Sequence, residues 1–474
     1  MVTRRQLLGG ALAGAATLGV RETIGAETTR RPNVLFVFAD QWRARSSGWM
    51  GNTQVRTPHL DRFAREGVVF DQAVSCCSVC TPYRASLLTG LYPLRHGLLL
   101  NDVRLSTALP TVGTAFKAAG HDTGYIGKWH LDGDKRGGFT PPGPRRQGFD
   151  YWAAAGCTHN YMQSHYYRDD PTPIRIEGYD ADHQTGLAID YIDAHGGERP
   201  FCLLLSWGPP HEPYQLMPKE YKTYEPREIQ LPPNCADEPR WREDLAGYYS
   251  HIEALDRDFG RLAAALEKAG RARDTIVVFT SDHGDMLGSQ GMQKKQKPWD
   301  ESVHVPFILR CPNAAAAGTR TDVPINTPDI LPTLLGLAGI AAPRDLEGAD
   351  LSAVVRGRRA DAPRSAFIAN LSPFGEKIPE WRGVRTARHT YVRTRSGPWL
   401  LYDNRSDPDQ KENLIESVAH GEVRAELEGE LGGWLERTGD RFEAREAYWK
   451  QFGYKVDPRT GHVPYETRVG VHDL

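Results

Sequence analysis

The stretch Cys80-Thr81-Pro82-Tyr83-Arg84-Ala85-Ser86-Leu87-Leu88-Thr89-Gly90 brings a thiol, a helix start and a fixed positive charge close together in the chain. Pro82 lacks the N–H that a first helical position leaves unpaired, so the spacing predicts a helix with Cys80 just ahead of it. The free amides at such a start attract anions, and Arg84 adds a permanent charge to the same mouth. A thiol placed there is poised for chemistry on an anionic group. A lone cysteine before a helix also fits a small buried residue. It is the Cys-x-Pro-x-Arg spacing, closed by Thr89-Gly90, that favours chemistry.

Other residues with acid, base or ligand chemistry stand where apolar runs end. Asn33 to Ala39 is a Val/Phe-rich run without alternation, as in a strand buried on both faces, and it delivers Asp40-Gln41. Val68 to Val74 reads as the strand that leads to the Cys80 turn, and Cys76 and Cys77 read as small buried residues on the strand before that turn. Asp122 to Gly127 precedes Lys128 and His130, Pro200 to Trp207 precedes His211, and Thr275 to Thr280 precedes Asp282 and His283. Helical spacing over Leu109–Gly120, Ala181–His195, Trp241–Ala269 and Thr327–Gly339 alternates with these strands. The alternation predicts an α/β domain over residues 27–341, a large and mostly parallel sheet sandwiched by helices. In such a sheet the carboxyl ends of the strands lie together, so these polar residues converge. Residues from about Asp132 to Asp180 show no periodicity and read as an irregular excursion of the kind that shapes binding sites. Over residues 342–474 the runs shorten to Ala366–Ala369, Gly383–Thr386, Thr390–Thr394 and Trp399–Asp403. These predict a small C-terminal antiparallel sheet with a helix, Glu422–Thr438, packed on it.

Charge nearly cancels, at a formal −2 over 474 residues, and no long basic run occurs. That argues against a nucleic-acid or polybasic membrane binder. Thr3-Arg4-Arg5-Gln6-Leu7-Leu8 opens a glycine-rich apolar run to Val20 that is short for a membrane span. Residues 1–26 read as a twin-arginine (Tat) export signal cut near Ala26, which makes the Tat export machinery a partner and the periplasm the destination. An uncleaved anchor is the other reading of the same run. The seven cysteines are odd in number and scattered, so they outline neither a disulfide scaffold nor a zinc cluster.

Together the motifs resemble those of the sulfatase family, from Pro32 to about Leu414. They include Ala39-Asp40-Gln41, Cys80 to Gly90, Gly127-Lys128-Trp129-His130, Pro209-Pro210-His211, Thr280-Ser281-Asp282-His283-Gly284 and Glu301-Ser302-Val303-His304-Val305-Pro306. Leu401-Tyr402-Asp403 and Asp407-Pro408 match nearer the end. The resemblance implies an alkaline-phosphatase-like fold. It implies that a formylglycine-generating maturation enzyme oxidises Cys80, and that the hydrated aldehyde is the nucleophile. Tyr83 stands where the family usually has Ser or another small residue. Asp40, Cys80, Asp282 and His283 are implied ligands of a divalent cation, for which oxygen donors favour Ca²⁺ and leave Mn²⁺ or Mg²⁺ as alternatives. Gln41 stands where many members have a second Asp, which removes one negative charge.

By the same resemblance, Arg84 would hold the hydrate and Lys128 and Lys295 would clamp the sulfate oxygens. His211 would protonate the leaving alcohol and His130 would take the remaining proton of the hydrate, or the two would exchange roles. Lys295 lies near Lys294 and Lys297, which also fits a solvated loop. His159, Tyr161, His165 and Arg168, with Tyr166 and Tyr167, are candidates for contacts to a sugar or for packing within their own domain. The implied function is hydrolysis of the sulfate esters of a sulfated carbohydrate, with a sulfated small molecule or glycan as the partner. Phosphate or phosphonate ester hydrolysis on the same fold is the alternative, and capture of sulfated glycans without turnover is a third. The third needs no acid or base.

Overall fold

The computed structural model describes residues 31–463, apart from 134, 313–317, 359–361, 376–377 and 458. The export signal expected at 1–26 lies outside the described residues. The first strands are β1 (Asn33–Asp40), β2 (Val68–Phe70), β3 (Ala73–Val74), β4 (Asp122–Lys128) and β5 (Tyr151–Ala155). A short ribbon, β6 (His165–Tyr166) and β7 (Ile174–Arg175), precedes β8 (Phe201–Pro210) and β9 (Thr275–Ser281). Then come β10 (Phe307–Arg310), β11 (Thr319–Thr321) and β12 (Ile325–Asn326). The last four are β13 (Ser365–Asn370), β14 (Trp381–Thr386), β15 (His389–Thr394) and β16 (Gly397–Asp403).

Eight strands form one sheet in the order β11-β2-β10-β9-β1-β8-β4-β5. β10 runs antiparallel to both its neighbours and every other pairing is parallel, so the sheet is mostly parallel as expected. β1 lies at its centre because its side chains are apolar on both faces. Val34, Phe36 and Phe38 belong to one core cluster, and Leu35, Val37 and Ala39 to the other. Burying a large apolar side chain of this kind contributes about 1.5–3 kcal/mol, so this strand anchors both layers. Among the described residues no helix is long and apolar enough to cross a membrane.

β13 to β16 form the small antiparallel sheet, and the helix Gly421–Thr438 packs on it. This sheet buries Phe367, Val384, Tyr391 and Leu401 in one cluster with Cys76, Cys77 and Val79. The Ala369 amide also donates to the Cys76 carbonyl at 2.9 Å. The C-terminal sheet therefore braces the segment that enters the Cys80 helix.

Two expectations are corrected. Val68 to Val74 is not one strand: β2 stays in the main sheet, while β3 leaves it to pair with β12. Cys76 and Cys77, both buried, follow β3 rather than lying on it. The excursion after Asp132 is less irregular than its composition suggests, because Tyr151–Ala155 pairs with β4 as an edge strand of the main sheet.

Candidate active site

The parallel register assembles the site. Asp40 at the end of β1 lies opposite Pro210 of β8, and Ala39 lies opposite Ser281 of β9. His211 and Asp282 therefore emerge on either side of Asp40. Lys128 ends β4 on the far side of β8, where Gly127 makes room: its φ is +98°, and a Cβ there would sit 2.0 Å from the Ser206 carbonyl oxygen. Only glycine permits that approach.

The helix Cys80–Thr89 begins two residues earlier than expected: Val79 is its N-cap, Cys80 its first residue and Pro82 its third. Pro82 still lacks an N–H where the helix would leave one unpaired. Every residue of this helix is buried. Tyr83 belongs to the core cluster of Phe36 and Phe38, which accommodates its ring.

The Cys80 sulfur lies 3.3 Å from His283 Nε2, 3.6 Å from Lys128 Nζ and 3.8 Å from Asp40 Oδ1. Lys128 Nζ also donates to Asp40 Oδ2 at very short range. Arg84 is fully buried and donates to Asp40 Oδ2 at 3.0 Å, Asp282 Oδ2 at 3.1 Å, Ser206 Oγ at 2.7 Å and the Lys128 carbonyl at 2.8 Å. Arg84 thus fixes both carboxylates rather than reaching into open space.

Burial alone would raise Asp40, but Lys128, with His211, Arg84 and His283, holds it well below the usual carboxylate range. Asp282 is pushed up to about 6 by burial and by the charge of Asp40. Burial and Asp40 oppose ionisation of the Cys80 thiol, yet Lys128, Lys295 and His283 bring it well below its ordinary value.

Asp40, Cys80, Asp282 and His283 each offer a ligand atom, and these atoms lie within 4.8 Å of one another, all buried. His283 Nδ1 faces the Gly284 carbonyl at 3.0 Å; only a protonated Nδ1 can donate there, which leaves the Nε2 lone pair facing the cluster. A hard oxygen pair with one oriented imidazole is a donor set that fits a divalent cation. Gln41 is turned away from such a role. Its amide donates to Asp285 at 2.6 Å and Glu212 at 2.7 Å, and its oxygen accepts from Lys295 Nζ at 2.7 Å.

Above Cys80 opens a cavity of about 230 Å³, lined by His130, His159, His211 and Lys295 among others. Lys295 is buried and reaches His211 Nε2 at 2.5 Å. His211 Nδ1 donates to the Glu212 carbonyl at 2.9 Å, so Nε2 accepts from Lys295 and the ring is neutral. Burial, Lys295 and His159 together push His211 well below its ordinary value. His159 stacks on that ring, with centroids 4.1 Å apart. His130 holds Asp102 through Nε2 at 2.7 Å; burial opposes its charging, but Cys157 and Asp102 raise it well above its ordinary value.

The other sugar-contact candidates lie elsewhere. Tyr161 is fully buried, donating to the His211 carbonyl at 2.7 Å, and so supports the loop that carries His211 from behind. His165 bonds the Gly137 carbonyl, and Arg168 lies over the Tyr151 and Tyr166 rings. None of these three lines the Cys80 cavity. Residues that sequence reasoning did not single out do line it: Asn101, Arg136, Cys157, Glu212, Phe374 and His462. Glu212 had a signal, since it follows His211 directly. The rest come from loops without periodicity.

Comparison with known proteins agrees with this geometry. The family model "Sulfatase" matches residues 32–340, and "N-sulphoglucosamine sulphohydrolase, C-terminal" matches residues 288–436. An ulvan-active sulfatase of Formosa agariphila is 40% identical over 445 residues, covering 92% of this chain and 87% of that one. An endo-4-O-sulfatase of Bacteroides thetaiotaomicron is 30% identical over 480 residues, covering 88% and 94%. A solved Bacteroides thetaiotaomicron sulfatase, described in connection with glycosaminoglycan metabolism, superposes with a TM-score of 0.80 at 29% identity, over 89% of this chain and 99% of that one. The chain belongs to the sulfatase family. It is a sulfuric ester hydrolase.

Proposed function

We propose that the chain is an exported, formylglycine-dependent sulfatase that uses a divalent cation to hydrolyse sulfate esters on a glycan. The observation that carries this is the placement of Cys80: first residue of a buried helix, ringed by Asp40, Lys128 and His283, at the floor of a cavity bearing Lys295 and His211. The glycan part rests on the ulvan-active and endo-4-O relatives and on a cavity wide enough for part of a sugar. The twin-arginine motif supports export.

When bound at Asp40, Cys80, Asp282 and His283, a cation such as Ca²⁺ would supply Lewis-acid charge, and oxidation of Cys80 to formylglycine would supply an oxygen nucleophile. Everything else falls to the chain's own side chains. Arg84 keeps Asp40 and Asp282 in one orientation. Lys128 at the end of β4 and Lys295 from its loop present ammonium groups suited to two oxygens of a sulfate. An incoming sulfate places negative charge beside Lys295 and His211, drawing the ammonium away from Nε2 and favouring a proton on that ring. Nε2 is then the proton donor to the leaving alcohol. His130, oriented by Asp102, exchanges the other proton within the same cavity.

The test is Cys80→Ala in protein made in its own host. Turnover of an aryl sulfate should vanish while the thermal midpoint stays within about 3 °C of the parent, because the exchange at residue 80 removes little buried volume. Retained turnover would remove residue 80 from the chemistry.

A further inference from the structure

Of the seven cysteines, five are withdrawn from chemistry. Burial pushes the Cys76 thiol up to about 12 and Cys311 up to about 11, and shifts Cys77, Cys202 and Cys235 in the same direction. Cys157 is different. It lines the active-site cavity with Cys80, His211 and Lys295, and also the small neighbouring cavity with Asp102 and His130. Its sulfur lies 3.5 Å from His159 Nε2. On its other side stands His130, 4% exposed, whose Nδ1 has no partner of ordinary hydrogen-bond geometry. Asp102 holds the opposite nitrogen of that ring at 2.7 Å, so Nδ1 is the free one and the Cys157 thiol is the polar group beside it.

We propose that Cys157 is a modification site: a reactive thiol in the wall of the substrate cavity that a small hydroperoxide oxidises, closing the site to substrate. Asp102, His130 and Cys157 form the carboxylate, imidazole and thiol series that activates a sulfur nucleophile, and His159 adds a second ring. Although burial opposes it, the charges of Lys128, His130 and His159 bring this thiol well below its ordinary value, in keeping with that geometry. In the step itself, the thiolate attacks the hydroxyl oxygen of the hydroperoxide. An S–O bond forms, the O–O bond breaks, and the departing oxygen takes the proton carried on His130. Sulfur loses two electrons and the peroxide gains them, leaving a sulfenic acid and an alcohol or water. The added oxygen enters the cavity that Cys157 lines with His159, His211 and Lys295, and crowds the substrate there. Nothing here depends on how residue 80 is processed.

The probe is hydrogen peroxide, applied to the enzyme as isolated, with dimedone to trap sulfenic acid and aryl sulfate turnover as readout. Turnover should fall at least about tenfold, recover with dithiothreitol, and fall more slowly with inorganic sulfate present. The dimedone adduct should map to the peptide carrying residue 157. Cys157→Ser should keep most of its own starting rate through the same treatment. An adduct at residue 157 supports the proposal whether or not residue 80 is also trapped. Adducts confined to other cysteines, or equal inactivation of Cys157→Ser, would overturn it. A trapped thiol at residue 80 counts instead against the formylglycine reading, so the two failures are distinct.

Discussion

His211 accepts from Lys295 rather than carrying a proton, and its ring is pinned on three sides by Lys295, the Glu212 carbonyl and His159. In the proposed mechanism a group so held becomes an acid only when anionic substrate arrives, which couples its protonation to binding. His211→Ala should therefore cost about 10²–10⁴ in kcat on alkyl sulfates, whose leaving groups need a proton, and far less on nitrophenyl sulfate. Steady-state kinetics on the two substrate classes check this; equal losses would remove His211 from the acid role. At this scale the sequence was most informative where chemistry follows a strand. Asp40, Lys128, His211 and Asp282 each stand just past an apolar run, so their meeting could be inferred from topology alone. Cys157 and Asp102 could not be found that way, because they lie in loops whose path is set by contacts distant in sequence. Lys295 is intermediate: its loop looks solvated, yet Gln41 and His211 draw its ammonium into the cavity.

Among elements, β4 shows how a strand can be tuned to place one side chain. Its pairing with β8 brings the Ser206 carbonyl against Gly127, and the next residue, Lys128, emerges at the site. Gly127→Ala puts a Cβ into that carbonyl and strains a backbone at φ +98°. The strain alone costs on the order of 1–3 kcal/mol, so the thermal midpoint should drop by several degrees and turnover should fall with it as Lys128 is displaced. Unchanged melting and rate would contradict this reading of the close approach. β1 and β9 were legible because strands buried on both faces need continuous apolar runs. β5 was not, since Tyr151–Ala155 is short and alanine-rich and becomes a strand only by pairing with β4. The break between β2 and β3 was hidden for the opposite reason: Asp71-Gln72 is brief, and β3 departs because β12 offers it a partner in another sheet.

For the whole molecule, stability should respond to acid through histidines that folding keeps neutral. His96 Nδ1 accepts from the Leu98 amide at 3.1 Å and Nε2 lies 2.9 Å from Ser86 Oγ, so no site remains for a second proton without breaking a bond. Burial holds its pKa down at about 3, against 6.5 for an ordinary imidazole. Between those values the unfolded chain binds a proton that the native one does not, so stability is full above about pH 6.5 and is lost as pH falls, by up to about 1.4 kcal/mol per unit. Asp256 and Asp258, raised to about 7 chiefly by burial, act with the opposite sign, since the native state keeps protons there that the unfolded chain releases. The parent curve mixes both, and His96→Gln isolates one. Its melting temperature should fall less than the parent's between about pH 7 and pH 5, and a parallel pair of curves would contradict the assignment. The central claim concerns what residue 80 becomes once the molecule has been made. The mass of the proteolytic fragment carrying residue 80, taken from protein isolated from its own host, tests it most directly. The account predicts an aldehyde in place of the thiol; a fragment that retains cysteine throughout, from protein that still hydrolyses sulfate esters, would contradict it.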